Sequence, residues 1–200
     1  MIIIDCIQGS DEWFSARAGN PGASNMNKII TSTGQPSKQA KEYMYQLAGE
    51  YIVGKCEETF KSIHMETGIE REAEARALFE LIQGVEVQQV GLVYKDAAKA
   101  FHASPDGLIG DDQGYEVKCP MMKNHIKYLL DGKLPIDYFV QVQSSLYICE
   151  RDTWWFMSYS PGLDPFILRV ERDEKFIEKL RAELDKFCLE LAVMIRRLKQ

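Results

Sequence analysis

One segment, residues 104–118, constrains the fold of this chain more than any other. It begins with Ser104-Pro105-Asp106-Gly107 and ends with Glu116-Val117-Lys118, so that Glu116 follows Asp106 by ten positions. Apolar residues follow the first block, and an acidic turn bounded by glycines at 110 and 114 precedes the second. This order of apolar and turn residues predicts a β-hairpin with one carboxylate at the entry and another on the second strand.

The hairpin places its charged side chains together. Because alternate side chains of a strand share a face, Glu116 and Lys118 are expected to point one way while Val117 enters the core. Pairing of the two strands would bring Asp106 near Glu116. Two adjacent carboxylates repel each other, and a hard divalent cation with oxygen ligands, Mg²⁺ in the first instance, would remove that repulsion.

Length and composition narrow the class of protein. The 200 residues fit one domain, spanning residues 1–200, and suffice for a proper core. A formal net charge of −6 argues against a protein that coats nucleic acid over its whole surface, but it permits a local basic channel. The five cysteines lie far apart without metal-ligand spacing, which predicts reduced, mostly buried thiols in a cytoplasmic protein. No apolar run is long enough for a membrane span.

Hydrophobic periodicity predicts helices on both sides of a central run of strands. We expect one α/β domain with a central mixed β-sheet flanked by helices. The second long helix should place Ile69, Ala73, Ala77, Leu78, Leu81 and Ile82 on one apolar side. The expected helices are 11–17, a short helix opened by Ser24 as its cap, 38–60, 67–83, 123–130, 138–149 and 173–198, and the expected strands are 2–7, 85–90, 92–94, 100–103, 153–159 and 166–170.

Three features outside the hairpin strengthen a catalytic interpretation. By itself the Asp…Glu-x-Lys spacing also occurs in acidic hairpins without activity. Glu72, on a helix before the sheet, could supply a third carboxylate, and Gln141 lies on the next long helix. Arg17 and Ser24 flank a glycine-broken helix–loop–helix that suits an anion, although helix-end charge and capping would explain the same two residues.

Ordered sequence blocks run through most of the chain. They are Glu12-Trp13, Arg17-x-Gly19, Ala23-Ser24, Glu72, Ala75-Arg76-x-Leu78-Phe79-Glu80, Ser104-Pro105-Asp106-Gly107-Leu108, Glu116-x-Lys118-Cys119-Pro120, Tyr138, Gln141-Val142-Gln143 and Glu171-Arg172-Asp173-Glu174-Lys175. In these blocks the chain resembles the phage lambda exonuclease family, a branch of the PD-(D/E)xK nucleases. The resemblance implies a restriction-endonuclease-like core and 5′→3′ digestion of one strand of duplex DNA. It also implies double-stranded DNA ends as substrate, a homotrimeric ring, a single-strand-annealing recombinase as partner, and a phage or prophage gene in a bacterial host.

The resemblance also implies the ligands of the metal. Asp106 and Glu116 match the metal-binding carboxylates of the family, and the Val117 carbonyl matches its backbone ligand. Glu72 matches the carboxylate at a second metal position, acting directly or through water. Two Mg²⁺ ions per site are expected, with Mn²⁺ as a substitute, because two metals can activate water and stabilise the leaving oxygen together.

The remaining roles follow from the same resemblance. Lys118 matches the lysine that holds or deprotonates the attacking water, and the sequence leaves both roles open. Gln141 matches a glutamine that supports the site. Arg17, Ser24 and Ser104 match the pocket of the family for the 5′-terminal phosphate. Between Arg17 and Ser24, Asn20-Pro21-Gly22 departs from the family pattern.

Two other functions stay open. One alternative is a site-specific endonuclease on the same fold, and the other is a DNA-end-binding module without activity.

The histidines and several lysines have ordinary explanations. The histidines His64, His102 and His125 share no ligand spacing, so we expect ordinary surface or partly buried side chains. Seven lysines fit a DNA channel and solvated helix faces equally well: Lys38, Lys41, Lys55, Lys61, Lys123, Lys127 and Lys133.

Overall fold

The computed structural model of the chain describes residues 1–56 and 63–200, with side chains from residue 71 onward in the second range. Helices and strands come in short runs along this length. In chain order they are β1 (Ile2–Ile4), α1 (Asp11–Arg17), a 3-10 helix (Ala23–Lys28), α2 (Ala40–Val53), α3 (Ile63–Gln83), β2 (Leu92–Tyr94), β3 (His102–Ala103), β4 (Gly107–Ile109), β5 (Gln113–Lys118), α4 (Met122–Asp131), α5 (Ile136–Ile148), β6 (Thr153–Ser158), β7 (Phe166–Glu171) and α6 (Glu174–Leu198).

The strands form a four-stranded and a three-stranded sheet. The larger sheet has the order β4-β5-β6-β7, in which β5 and β6 run parallel and the outer pairs run antiparallel. The parallel pair needs a long crossover, which α4 and α5 supply. The smaller sheet, β1-β2-β3, is antiparallel throughout. The prediction of a mixed sheet flanked by helices is therefore confirmed.

The larger sheet has a hydrophobic cluster on each face, because alternate residues of a strand point to opposite sides. Trp154 and Phe156 of β6 belong to one cluster with residues of α2, α5 and α6. Met157 joins the other cluster, where Ala75 and Phe79 of α3 pack against the hairpin strand β5. Helix α3 thus covers one face of β5, the second strand of the hairpin.

The ends and faces of the two long helices differ from the prediction. Helix α2 stops at Val53 because Gly54 adopts a left-handed conformation at φ 73°, and positions 57–60 of the predicted helix lie outside the described residues. Helix α3 begins at Ile63, four residues earlier than expected. On the predicted apolar side of α3 only Leu78 packs against the core, and the side chain of Ile69 lies outside the described ones. The other four residues of that side are exposed, with Leu81 at 81%, and Ala75 and Phe79 are buried instead.

The predicted strand over 85–90 is also wrong. This stretch pairs with the sheet only at Gln88, which exchanges two backbone hydrogen bonds with Leu108 at 2.8 and 2.9 Å. Val87 and Val90 are buried, three positions apart, and Gln89 is exposed, so burial does not alternate through the stretch. A single edge contact to β4 therefore replaces the expected ladder.

In the described part of the chain, no helix combines the length and the apolar character required to cross a membrane.

Candidate active site

The β4–β5 hairpin sets the distance between the two predicted carboxylates. The register pairs Gly107 with Tyr115, so Asp106 lies beside the start of the Glu116–Val117 segment. The Val117 amide donates a hydrogen bond to Oδ2 of Asp106 at 2.7 Å. Gly107 permits this arrangement, because a Cβ there would lie 2.1 Å from Cγ1 of Val87. The hairpin therefore brings the carboxylate at its entry against the strand that carries the second.

Glu116 is the buried centre of the polar cluster. Its side chain has one oxygen, Oε1, that contacts both Nζ of Lys118 and Nε2 of Gln141 at 2.5 Å each. The residue is 2% exposed, and Val117 between the two charged positions is buried in the core. The predicted division of the strand, with Glu116 and Lys118 on one face and Val117 on the other, is confirmed.

The cluster shifts the pKa of its members in opposite directions. Burial, followed by repulsion from Glu116, raises the pKa of Asp106 well above its usual value, against the attraction of Lys118. Burial lowers the pKa of Lys118, but attraction from Glu116 and Asp106 exceeds that effect and raises it above the usual value. At neutral pH the lysine is therefore an ammonium ion, and Asp106 gains from any further positive charge placed beside it.

Glu72 approaches the same cluster from α3. Burial raises its pKa, with a smaller increase from Glu116 and opposing effects of Lys118 and Arg76. These mutual effects place Glu72 within electrostatic reach of the hairpin residues. Among the described residues, however, no group of three or more His, Cys, Asp or Glu side chains is arranged to hold a metal ion. Asp106 and Glu116 thus form a pair with Glu72 nearby, and the three carboxylates do not surround a common metal position.

A cleft of about 1730 Å³ connects the carboxylates to the predicted phosphate pocket. Asp106, Glu72 and Val117 line it, as do Arg17 and Ser24. Residues separated by about 90 positions in the sequence therefore face one space.

Arg17, at the last position of α1, is held by an aromatic ring. Its guanidinium carbon lies 3.8 Å from the ring centroid of Trp13, which is a cation–π contact. Trp13 in turn donates from Nε1 to Oγ of Ser104 at 3.0 Å and to the Gly91 carbonyl at 3.2 Å. The predicted pair Arg17 and Ser104 is thus joined through Trp13. Burial lowers the pKa of Arg17.

Ser24 lies in the cleft but does not cap the helix that follows the glycine loop. The 3-10 helix begins at Ala23 with Gly22 as its N-cap, and no side chain makes the capping hydrogen bond. The expectation that Ser24 is the cap is wrong, because the helix starts one residue earlier and includes it. Its side chain is exposed and lines the cleft beside Asn25.

Several cleft residues received no role from the sequence. Arg76 lines the cleft one helical turn after Glu72 and lowers the pKa of that carboxyl. The spacing of four between them was the signal, since such pairs are neighbours on a helix. Asn25 also lines the cleft.

The seven lysines divide into groups. Lys55 lines the cleft. Lys38 and Lys41 line a separate groove of about 850 Å³ between α2 and α6. Lys123, Lys127 and Lys133 are exposed on and after α4, and Lys61 lies outside the described residues.

The histidines are more buried than expected. His102 is 2% exposed and His125 is fully buried, so the expectation of surface or partly buried side chains is wrong for both. His125 contacts Oγ of Ser158 at 2.8 Å and the Asp164 carbonyl at 3.0 Å. Burial lowers the pKa of His102 to about 3. The side chain of His64 lies outside the described ones.

Comparisons with known proteins agree on one family. A family profile described as "YqaJ-like viral recombinase domain" matches residues 12–152. The alkaline exonuclease LHK-Exo from Laribacter hongkongensis is 33% identical over 95% of this chain and 96% of its own, with a TM-score of 0.85. Its complex with dAMP is 32% identical over the same shares, also with a TM-score of 0.85.

A more distant likeness concerns the fold alone. A phage-related exonuclease from Haemophilus somnus 129PT is 13% identical over 90% of this chain and 96% of its own, with a TM-score of 0.70. Among curated proteins none matches significantly.

Proposed function

Since the chain belongs to the YqaJ-like viral recombinase domain family, we propose that it is a DNA exonuclease of recombination that digests one strand of linear duplex DNA in the 5′→3′ direction. The fold of its exonuclease relatives is restriction-endonuclease-like, as the resemblance implied. One observation carries the proposal. Asp106 and Val117 of the hairpin, together with Glu72, line a single cleft with Arg17 and Ser24.

Divalent metal fits the residues at the hairpin. Asp106, Glu116 and the Val117 carbonyl would hold Mg²⁺, or Mn²⁺ in its place, with Glu72 at a second position. The raised pKa of Asp106 supports this, because two buried carboxylates beside each other favour an added cation. A third carboxylate in contact is not required, since Mg²⁺ commonly uses one or two together with water and substrate phosphate. When bound, the metal lowers the pKa of water and stabilises charge on the phosphodiester.

Lys118 and Gln141 define the geometry around Glu116. Their contacts to the same carboxylate oxygen, at 2.5 Å each, fix the side chain from two sides. As an ammonium ion, Lys118 can orient the attacking water and offset negative charge that develops at phosphorus. The raised pKa of Lys118 favours this electrostatic role at neutral pH, and removal of a proton from water would become its role only at higher pH.

The pocket at Arg17 gives the proposed direction of digestion. A terminal phosphate carries more charge than an internal diester and suits an arginine fork with hydroxyl donors. Because Oγ of Ser104 accepts a hydrogen bond from Trp13, its own hydroxyl hydrogen is available to an anion. Ser24 adds an exposed hydroxyl in the same cleft. Binding of the 5′ end here would place the first phosphodiester toward the carboxylates.

The proposed assembly is a homotrimeric ring that works with a single-strand-annealing recombinase. A ring reconciles an acidic chain with a DNA substrate, because positive charge can line the channel while the outer faces carry the net charge of −6. Enclosure would keep the substrate close between successive cuts and so make digestion processive. The product would be duplex DNA with 3′ single-stranded tails, which an annealing protein can use.

The decisive experiment is digestion of linear duplex DNA labelled separately at each strand end. With Mg²⁺ we expect mononucleotides from the 5′-labelled end first, and 3′ label retained in the single-stranded tails of the product. EDTA should stop release. Asp106→Asn should abolish it, whereas Asp111→Asn in the exposed turn should not. Release from the 3′ end first would contradict the proposed polarity.

A closed circular duplex separates the alternatives. An exonuclease that needs a terminal phosphate leaves this substrate intact, whereas an endonuclease on the same fold nicks or linearises it. A DNA-end-binding module without activity would retard the linear duplex in a gel and release no nucleotide from it.

A further inference from the structure

The loop that joins Arg17 to Ser24 is tied to α2 at both of its glycines. The Gly19 amide donates to Oε2 of Glu50 at 3.3 Å. The Gly22 amide donates to the hydroxyl of Tyr43 at 3.4 Å. Glu50 and Tyr43 are seven positions apart on α2, so that their side chains project from the same side of the helix. Arg17 and Ser24, which the proposed function places in the phosphate pocket, are thus held by α2, a helix that does not line their part of the cleft.

The loop approaches α2 closely at Gly19. Its φ of 76° is left-handed, and a Cβ there would lie 2.6 Å from Cβ of Tyr51. Only glycine accepts both the backbone conformation and the contact. The amide of Gly19 therefore reaches a carboxylate on the helix surface directly, two residues after Arg17.

Glu50 is a buried carboxylate without a role in the proposed chemistry. It is 8% exposed, and Oε1 accepts a second hydrogen bond from Nε2 of Gln46 at 2.8 Å. Burial of a charged carboxylate is costly unless hydrogen bonds and an opposite charge compensate for it. The loop amide and Gln46 supply the hydrogen bonds, and Arg17 supplies the opposite charge within electrostatic reach.

Arg17 in turn needs support from outside its own helix. Its Nε is buried and has no hydrogen-bond partner among the described residues. The Trp13 ring fixes the plane of the guanidinium but provides no acceptor on its face. Burial lowers the pKa of Arg17, and attraction from Cys56, Tyr43 and, least of the three, Glu50 opposes that effect.

We propose that Glu50 is a positioning residue that fixes Arg17 for the 5′-terminal phosphate and so sets the preference of the enzyme for phosphorylated ends. This rests on the proposed function of the Arg17 pocket. Glu50 acts through the Gly19 amide, which anchors the loop two residues after Arg17. It contacts neither the hairpin carboxylates nor Lys118 through any hydrogen bond or ion pair of the described residues.

The test compares Glu50→Gln with the wild type on duplexes that carry a 5′-phosphate or a 5′-hydroxyl. The substitution keeps the shape and an acceptor oxygen but removes the charge. A hydrogen bond to a charged group exceeds a neutral one by about 1 kcal/mol, so we expect the phosphate preference in kcat/KM to fall about fivefold. Digestion of 5′-hydroxyl ends should change little, which a general loss of structure would not produce.

Glu42→Gln is the matched control, because it makes the same change on the exposed surface of the same helix. It should keep the full preference for phosphorylated ends. An unchanged preference in Glu50→Gln, equal to that of Glu42→Gln, would overturn the inference. If Glu50→Gln lowers the melting temperature by more than a few degrees, Gln46→Ala replaces it. That variant loosens Glu50 alone and should lower the preference about twofold, and no change would again overturn the inference.

Binding in EDTA separates this inference from the exonuclease proposal. Affinity for the two duplexes, measured without divalent ions, reports the pocket whether or not the chain digests DNA. A phosphate preference in binding that falls in Glu50→Gln supports the inference even without catalysis. If the wild type binds both ends equally, the pocket itself is wrong, and the inference fails together with that part of the proposed function.

Discussion

At the residue scale, a single carboxylate oxygen of Glu116 joins two other residues of the proposed site. Oε1 contacts the ammonium of Lys118 and the amide of Gln141, so the carboxylate has a fixed orientation before any ligand binds. Fixed dipoles and charges stabilise developing charge without reorganisation at the moment of reaction. Burial of Asp106, followed by repulsion from Glu116, raises the pKa of Asp106, which supports the proposed binding of a cation by the pair.

The first prediction at this scale concerns the ammonium group of Lys118. Lys118→Met should lower turnover about 100- to 10,000-fold, which is the usual range for loss of a group that positions or deprotonates water. The melting temperature should stay near that of the wild type, because the stem of the side chain is preserved. Lys123→Met, on the exposed surface of α4, is the matched control and should digest DNA normally. Normal turnover by Lys118→Met with the fold intact would remove the lysine from the mechanism.

The second prediction concerns stability and pH. The pKa of Asp106 is raised on folding, so the folded chain keeps a proton there that the unfolded chain loses above about pH 4. Stability without metal should therefore fall as pH rises from that point toward the folded-state pKa. Asp106→Asn, which stays neutral, should melt a few degrees above the wild type at pH 8 in EDTA, since about 1 kcal/mol corresponds to roughly 2–4 °C at this size.

Thermal unfolding in EDTA at pH 5 and pH 8 measures this difference. The advantage of Asp106→Asn should shrink at pH 5, and added Mg²⁺ at pH 8 should raise the melting temperature of the wild type only. A lower melting temperature for Asp106→Asn at pH 8 would mean that its hydrogen bond from the Val117 amide outweighs the repulsion.

The third prediction concerns Arg17. Arg17→Ala should slow digestion of 5′-phosphorylated ends about tenfold or more, because charge-assisted contacts contribute about 1.5–3 kcal/mol each. It should affect 5′-hydroxyl ends far less. Initial rates on the two substrates give the ratio, with Arg169→Ala on the exposed surface of β7 as the control. Equal loss on both substrates would contradict a pocket for the terminal phosphate.

At the element scale, the hairpin depends on its fit to β6. Gly114 of β5 pairs with Trp154, a fully buried side chain that fills the face shared by β5 and β6. A Cβ at Gly114 would lie 2.1 Å from Cζ3 of that ring. The strand that carries Glu116 and Lys118 can therefore approach β6 only with glycine at this position.

Gly114→Ala should destabilise the chain by about 1–3 kcal/mol or more, the usual cost of an overpacked core. The melting temperature should fall by several degrees, and activity should fall with it because the displaced strand carries the site. Gly49→Ala is the control in the middle of α2, where a Cβ meets nothing within 4 Å. It should raise the melting temperature slightly, since alanine exceeds glycine in helix preference. An unchanged melting temperature for Gly114→Ala would contradict this packing.

Helix ends were predictable where a single side chain or glycine decides them. Ser10 accepts a hydrogen bond from the Trp13 amide at 3.3 Å, and Asp173 accepts one from the Phe176 amide at 3.0 Å, as capping predicts. Gly132 ends α4 at φ 62°. The buried side of α3 was not predictable, because Leu81 and Ile82 match the helical period as well as Ala75 and Phe79 do. Only packing against Tyr115 selects the second pair.

At the scale of the whole molecule, the proposed ring makes assembly part of the activity. A chain of 22.9 kDa with a net charge of −6 gains little from nonspecific attraction to DNA. The proposed persistence on the substrate would then come from enclosure or from the proposed pocket at the 5′ end. These two sources predict different responses to competitor DNA.

We expect a sedimentation mass three times that of the 22.9 kDa chain at concentrations where digestion is active. Excess unlabelled linear duplex, added after digestion of a long labelled duplex has begun, should leave the rate of nucleotide release nearly unchanged. The same competitor added beforehand should reduce it in proportion, which serves as the control. A monomer mass under active conditions, or immediate arrest by late competitor, would contradict the ring.

The sequence by itself determined the hairpin, the side on which Glu116 and Lys118 project, and the helix ends with their own caps. These features depend on residues a few positions apart, where backbone geometry fixes which side chains meet. The resemblance to a known nuclease family, which spans ordered blocks of the sequence, supplied the remaining candidates. Only the tertiary structure decided that Glu72, Arg17 and Ser24 line one cleft with Asp106. It alone placed Glu50 beneath the loop. These residues meet through packing between distant segments, and periodicity within one element carries no information about which partner covers it.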